Sequence, residues 1–382
     1  MLCAHSIINW PPTILAVRTI LRTSGRTFLL GYLNSDIITL GSTPVYLRNT
    51  DCGFFFQDDW KITSRLTLNL GVRYELPLPS HDKYGRWSNF DPALNKIVVA
   101  SFAGAPPGAA FANASSVETA KQAGLPSSLV YPNYKDSAPR FGFAWRPFGG
   151  NRTVLRGGYG IFYGGNELVD LETFVSLQFP FVIPLTMNRN VNDPTFLTLS
   201  NPFPAPPNLT SNVVNAFGIQ THAPTPYEQS WNLTVEREIG HGSAIEIGYV
   251  GSIGTHWDKM YNLNQPFRSA ATYPNFPVPF PGWSSINMYG ACCNSIYNAG
   301  NVTFRRRFVN NFFYRVGYSY AKSIDEASRQ GDNNGQPQDA RDLRAERGRS
   351  EFDIGHSLLM SFSWQAPRHY NLGPGGRSSA PY

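Results

Sequence analysis

The sequence predicts an all-β fold built as an antiparallel meander of long hairpins, and three observations support this prediction. First, 14% of the 382 residues are aromatic and only 15% are charged, while 34 Gly and 30 Pro punctuate the chain. Gly and Pro break helices, whereas aromatic and β-branched residues suit pleated surfaces. Second, several segments alternate strictly between apolar and polar residues. Third, short turns alternate along the chain with long, Pro-rich connections.

The clearest alternation lies in the hairpin at Phe54–Glu75. One face of its second strand is apolar, with Leu66, Leu68, Leu70, Val72 and Tyr74. The other face is polar, with Arg65, Thr67, Asn69, Arg73 and Glu75. At about eleven residues, this strand is roughly twice the usual length in soluble proteins but matches a tilted strand that crosses a bilayer. We expect the hairpin to close at Pro77, because proline marks the start of the next connection.

Three more hairpins are predicted at about residues 140–163, 227–251 and 301–322, and a last strand covers 358–365. The turns within hairpins have about two to four residues, whereas the connections between hairpins have about thirty to sixty and show no period of their own. Short turns on one side and long loops on the other are typical of an outer-membrane β-barrel. Half-buried soluble sheets also alternate, so the pattern leaves a soluble β-protein open as an alternative.

Charge and motifs exclude several other classes of protein. The net charge is +6 and the pI is near 9.1, but Arg305–Arg307 is the only tight basic run, so we predict no nucleic-acid partner. The chain has no HExxH, GxSxG, P-loop or CxxC motif, and we therefore predict no enzyme activity, cofactor or metal. The four cysteines are Cys3, Cys52, Cys292 and Cys293. The adjacent pair Cys292–Cys293 could form a strained vicinal disulfide, but it lacks the second pair that a zinc site needs.

Seven blocks of sequence, taken together and in this order, resemble the β-barrel of Oar-like TonB-dependent transporters, which are abundant in acidobacteria and carry a carboxypeptidase-regulatory-like domain ahead of their plug. The blocks are FFQDDWKITSRLTLNLGVRYE (55–75), NFDP (89–92), APRFGFAWRPFGGNRTVLRGGYGIFY (138–163), TPYEQSWNLTVEREIGHGSAIEIGYVGSIG (225–254), NLNQP (262–266), YSYAKSIDEAS (318–328) and RDLRAERGRSEFDIGH (341–356).

The resemblance implies a barrel of about 22 strands around a plug, with energy supplied through TonB. We expect residues 1–25 to be an ill-defined leader, 26–368 to be a partial barrel and 369–382 to be a truncated tail. We recognise no signal peptide, plug or closing strand in this chain. Roughly ten strands cannot enclose such a lumen, so we expect an open, curved sheet from an internal fragment of a transporter.

Two functions from different classes follow from this interpretation. The first is energised uptake of a large or scarce ligand, such as an oligosaccharide or siderophore, across the outer membrane, with lipid and the TonB complex as partners. The second is a structural or adhesive role for the long external loops. Under the first, the candidate lumen-facing residues are Arg65, Arg73, Arg156, Glu236, Glu246 and Arg315. Ordinary pairing between strands and solvation are the alternative explanation for the same residues.

Overall fold

The computed structural model describes most of the chain in separate ranges. These are residues 2–9, 29–40, 46–101, 116–164, 178–188, 197–202, 215–240, 242–269, 276–309, 312–328 and 336–364. The predicted tail at 369–382 and residues 10–25 of the predicted leader lie outside them.

Strands dominate the described ranges. They are β1 (Leu2–Asn9), β2 (Ser35–Leu40), β3 (Tyr46–Lys61), β4 (Leu66–Asp82), β5 (Ser88–Asp91), β6 (Lys96–Val99), β7 (Val117–Thr119), β8 (Ser137–Trp145), β9 (Thr153–Tyr163), β10 (Ile183–Asn188), β11 (Ala216–Ile219), β12 (Tyr227–Gly240), β13 (Ser243–Asn262), β14 (Ile286–Val309), β15 (Phe312–Asp325), β16 (Gly348–Arg349) and β17 (His356–Trp364). The short helix α1 covers Ala120–Ala123, and a 3-10 helix covers Leu343–Glu346.

One large sheet organises the chain. Twelve strands belong to it, and its main path runs β1-β3-β4-β8-β9-β12-β13-β14-β15, after which both β16 and β17 pair with β15. Within the described ranges β1 and β17 stay unpaired with each other, so the sheet is open. The predicted all-β fold with an unclosed, antiparallel meander is therefore confirmed. Strand β1 lies in a region where the sequence pattern predicted no element, and it pairs with β3 along its whole length.

Strand β4 does not end at Pro77, and this prediction was wrong. The strand continues through Pro77 and Pro79 to Asp82. The neighbouring strand β8 explains why, because its pairing with β4 stops at Tyr74 opposite Ser137. The amide of Glu75 donates to Asp136 O at 2.9 Å on that side, and alternate residues of a strand direct their amides to the same side. Pro77 and Pro79 have no N–H group to donate. Their nitrogens lie on the side of β4 where no strand pairs with it, so no hydrogen bond of the sheet is lost.

The half of the sheet next to the short turns, here the turn half, has an apolar face without a protein layer over it. Register places Leu155, Val235, Ile247, Val302, Tyr318 and Leu358 opposite one another across six consecutive strands of the sheet. Ile247 is 54% exposed and Leu358 is 58% exposed. A continuous apolar face of this size is unfavourable in water and indicates contact with another apolar phase.

The opposite half of the sheet is covered by a packed structure that we call the far-end layer. It is formed by β5, β6, β7, α1 and β11 together with residues 125–136, 178–182 and 276–289. Phe90 and Ile97 are completely buried in it, beside Phe179 and Trp283. The ring of Phe90 meets Trp283 and Phe280 edge-on at centroid distances of 5.4 and 5.6 Å. The connections predicted to be irregular therefore contain a hydrophobic core.

Three buried amide side chains join separate segments within this layer. Asn89 Nδ2 donates to Ile219 O at 2.9 Å, and its Oδ1 accepts from Ile219 N at 2.7 Å. Gln178 bonds both backbone groups of Phe217, and Asn264 Nδ2 donates to Trp283 O at 2.9 Å while its Oδ1 accepts from Phe280 N at 2.8 Å. Each amide supplies a donor and an acceptor to backbone that the short strands leave unpaired.

Within the described ranges, the structure has no helix with the length and apolar composition that crossing a membrane requires.

Candidate functional site

The polar face of the turn half is the candidate functional surface. It lies opposite the exposed apolar row, because successive residues of a strand point to opposite faces. Register brings Glu236 opposite Glu246, and Glu246 opposite Thr303. On the next strands Arg305 lies opposite Arg315, which faces Ser361 of β17. Charged side chains from four of the predicted hairpin strands therefore share one face.

Glu236 is the centre of this cluster. Its carboxylate accepts from the Arg305 guanidinium and lies 3.5 Å from Arg156 Nη1. Glu236 lies on β12. It thus contacts the adjacent strand β9 on one side and, across β13, strand β14 on the other. Both arginines are substantially exposed, so we assign each ion pair no more than about 1 kcal/mol. Glu246 and Arg315 form no ion pair with any described residue, which leaves a carboxylate and a guanidinium available on this face.

The two remaining predicted residues, Arg65 and Arg73, lie apart from each other along the first hairpin. Arg65 is in the turn between β3 and β4 rather than within a strand, and a methyl group at Gly149 would lie 3.3 Å from its Nη2. Its position is at the rim of the turn half. Arg73 lies farther along β4, and its Nε is 2.7 Å from Glu75 Oε1. The structure therefore brings Arg156 and Glu236 together and separates Arg65 and Arg73 from them.

Carboxylates gather where the polar face meets the far-end layer. Glu75 lies near Asp51 and Asp136, whose side chains sit on the same face of the sheet. Asp136 is almost fully buried, and it accepts from Asn133 Nδ2 at 2.7 Å and from Thr225 Oγ1 at 2.6 Å. Burial raises the pKa of Asp136 above its usual value, the Thr225 hydrogen bond lowers it, and Glu75 raises it further. Asp51, Glu75 and Asp136 thus form a local group of three carboxylates.

A cavity of about 440 Å³ opens beside Asp136. Tyr131 stacks on His222 at its wall, with ring centroids 4.2 Å apart. The ring centroid of Tyr227 is 5.6 Å from that of Tyr163 and 5.7 Å from that of His256. Aromatic rings beside a few polar groups are typical of cavities that bind small molecules.

The raised pKa of Asp136 predicts a specific pH dependence of stability. The folded state binds this proton more tightly than the unfolded state, so stability decreases as pH rises through the unfolded and then the folded pKa. Replacing Asp136 with Asn removes this loss, and the amide can still face Asn133 and Thr225. We expect the difference in urea midpoint, Asp136→Asn minus native protein, to increase as the pH is raised from about 4 to about 7.

Asp339→Asn is the matched control for this measurement. A backbone hydrogen bond and a side-chain hydrogen bond from Arg341 lower the pKa of Asp339, which gives the opposite sign. Stability from Asp339 is present above its unfolded pKa and is lost as pH falls. The midpoint of Asp339→Asn relative to native should therefore not increase over the same range. A parallel response of the two variants would contradict the assignment to Asp136.

Within the described ranges, no three His, Cys, Asp or Glu side chains lie close enough together to hold a metal ion. Cys52 is disulfide-bonded, whereas Cys292 and Cys293 are free thiols.

Sequence reasoning omitted two parts of this surface. Arg305 could have been included from the sequence, because Thr303 and Arg305 alternate with the apolar residues Val302 and Phe304. Asp136 gave no such signal, because it precedes β8 and becomes buried only through contacts with residues 133 and 225.

Comparison with known proteins gives a family match and several similar folds. The family model described as "Outer membrane beta barrel domain" matches residues 16–376. No curated protein sequence matches the chain significantly.

Three solved structures illustrate the similar folds. The outer membrane transporter YddB from Escherichia coli has a TM-score of 0.40 and 14% identity, over 75% of this chain and 26% of that one. The FrpB iron transporter from Neisseria meningitidis has a TM-score of 0.37 and 10% identity, over 84% and 32%. A mutant ferric enterobactin receptor, PfeA, from Pseudomonas aeruginosa has a TM-score of 0.35 and 8% identity, over 85% and 38%. The chain thus spans between 26% and 38% of the length of these proteins.

Proposed function

We propose, from the premise that this chain belongs to the outer membrane β-barrel domain family, that it forms part of the wall and external loops of a TonB-dependent transporter. In this proposal the complete protein takes up a large or scarce ligand, such as an oligosaccharide or siderophore. The chain itself carries out no catalysis and needs no cofactor. Its proposed location is the outer membrane, with the turns in the periplasm and the far-end layer outside.

The apolar row of the turn half is the observation that carries this proposal. Val235, Ile247 and Val302 lie in register on adjacent strands, and each is at least 40% exposed. Lipid contact makes this exposure favourable, since the strands then present an apolar band of about 25 Å to the bilayer. The resemblance of seven sequence blocks to Oar-like transporters supports the choice of this kind of barrel.

The polar face supports transport rather than a purely structural wall. Once the rest of the barrel closes the sheet, this face lines the lumen, with the Arg156–Glu236–Arg305 cluster near the periplasm. Glu246 and Arg315 are free to contact a ligand or the plug. The cavity beside Asp136 lies at the external end, and its aromatic and carboxylate groups provide contacts for a polar ligand.

Uptake assays in cells test the proposal. We would compare a labelled ferric catecholate and a fluorescent maltooligosaccharide in cells with the full-length gene, without it, and without TonB. We expect uptake of one of these probes to require both the gene and TonB. Gene-dependent uptake that persists without TonB would contradict the energised mechanism. Uptake of both probes that is the same in cells with and without the gene would contradict transport of these ligand classes.

The adhesive alternative is separated from uptake in the same strains. Cells carrying the full-length gene and cells lacking it are compared for attachment to an abiotic surface. Loss of attachment together with unchanged uptake would favour an adhesive role for the far-end layer.

A further inference from the structure

The adjacent thiols Cys292 and Cys293 occupy an irregular position of strand β14. Trp257 lies opposite Cys293, and Asp258 lies opposite Ala291, so Cys292 has no residue opposite it. Successive side chains of a regular strand point to opposite faces. The extra residue disrupts this alternation and forms a bulge, which brings the two Sγ atoms to 2.6 Å from each other.

This pair lies beyond the apolar band. Cys293 is thirteen residues along β14 from Arg306, which pairs with Ser243 beside the turn. With a rise of about 3.4 Å per residue and a strand tilt of about 35 to 45°, the pair is about 31 to 36 Å above the turn. An apolar band of about 25 Å therefore ends below it.

The two thiols differ in exposure and in charge. Cys293 is completely buried, whereas Cys292 is partly exposed. A hydrogen bond from Cys293 lowers the pKa of Cys292, burial opposes this, and the Lys259 ammonium lowers it further. The pKa of Cys293 is raised by the same hydrogen bond and by burial. Cys292 is therefore the thiol that a disulfide from solution can reach and the more readily deprotonated of the two, and Cys293 is the buried thiol held beside it.

The surroundings of the pair hold it in place. Lys259 Nζ donates to Glu326 O at 2.8 Å and lies 3.7 Å from Glu346 Oε2. The carboxylate of Glu326 accepts from the amide of Asn294, the residue after Cys293, at 2.9 Å. Glu326 thus holds the strand next to Cys293 through Asn294, and its backbone carbonyl holds the Lys259 ammonium.

We propose that Cys292 and Cys293 form a thiol–disulfide exchange site on the outside of the membrane, with small accessible disulfides as its substrate class. The Cys292 thiolate attacks one sulfur of the donor disulfide, a mixed disulfide forms, and the first donor thiol leaves. Cys293 then gives up its proton and attacks the Cys292 sulfur, which expels the second donor thiol. The pair is oxidised to a vicinal disulfide, and the donor is reduced to two thiols.

Charge favours the second step once the first has occurred. The Cys292 thiolate is one reason why the pKa of Cys293 is raised, and the mixed disulfide removes that negative charge. Lys259 remains close and stabilises a thiolate on Cys293. The disulfide at Cys52 indicates that the chain matures where disulfide oxidants are present.

The test uses the full-length protein, reduced mildly and then treated with the aromatic disulfide dithiobisnitrobenzoate. We expect the native protein to release two equivalents of thionitrobenzoate and to retain no adduct, with the mass of the 292–293 peptide lower by two hydrogens. A stable adduct on Cys292, or no reaction, would overturn the proposal without any variant.

Two serine variants assign the roles. Cys293→Ser should release one equivalent and retain the aromatic adduct on Cys292, because no thiol resolves it. Cys292→Ser should release thionitrobenzoate at least about tenfold more slowly, because Cys293 is buried and protonated. Equal rates for Cys292→Ser and native protein would contradict the assignment of the attacking thiol. Failure of this exchange leaves the transport proposal unaffected, since uptake is measured separately.

Discussion

Replacing Phe90 with alanine is expected to lower the opening free energy of the far-end layer by about 3 to 5 kcal/mol. Phe90 is completely buried and packs edge-on against Phe280 and Trp283. Removing the ring leaves a cavity among residues that the short strands β5 and β6 hold in place, and neighbouring backbone cannot collapse into it. Hydrogen exchange of the β5 and β6 amides in the full-length protein measures the effect.

The matched control is Phe148→Ala. Phe148 lies in the turn between β8 and β9 and is 76% exposed, so its truncation should leave exchange in the far-end layer unchanged. We also expect exchange in β12 and β13 near their turn to be unaffected by Phe90→Ala, because the far-end layer covers only the opposite half of the sheet. Similar exchange in the two variants would show that the layer does not depend on this core.

Replacing Val302 with arginine is expected to destabilise the complete barrel by about 2 to 4 kcal/mol. Val302 lies four residues from Arg306 at the turn, between Ile247 and Tyr318 on the apolar face. This places it near the middle of the apolar band, where a guanidinium group has the largest cost of transfer into lipid. The free energy of unfolding in urea, measured for the full-length protein folded into phosphatidylcholine vesicles, gives the result.

Thr303→Arg provides the control at the adjacent position. Thr303 points to the polar face and lies opposite Glu246, which has no ion pair among the described residues. The added guanidinium therefore meets water and a carboxylate, and we expect a change of less than about 1 kcal/mol. If both substitutions were equally tolerated, the apolar face would not contact lipid; if both were equally harmful, neither face could be assigned.

Local patterns made the faces of the long strands predictable. In β4, Leu68 and Leu70 alternate with Thr67 and Asn69, and a period of two is readable from the sequence without knowing any neighbour. The end of β4 was not readable in this way. Pro77 is compatible with the strand only because β8 no longer pairs there, and that depends on a segment about sixty residues away in sequence.

The candidate site was predictable in type but not in pairing. The alternation placed Arg156, Glu236, Glu246 and Arg315 on polar faces of their strands. That Glu236 joins Arg156 to Arg305 depends on the register of three neighbouring pairs of strands, which short-range patterns do not specify. The far-end layer was missed because its elements are only a few residues long and are stabilised by contacts between distant residues such as Phe90 and Trp283.

The sequence by itself determined the antiparallel hairpins and the apolar and polar faces of their strands, because side-chain direction along a strand follows from local alternation. Only the tertiary structure decided the register in which the strands pair, the core of the far-end layer and the bulge at which Cys292 and Cys293 meet. The physical reason is that pairing, burial and bulges depend on which strands become neighbours. A pair of adjacent thiols that a regular strand would separate becomes a single site when the opposite strand supplies one residue fewer.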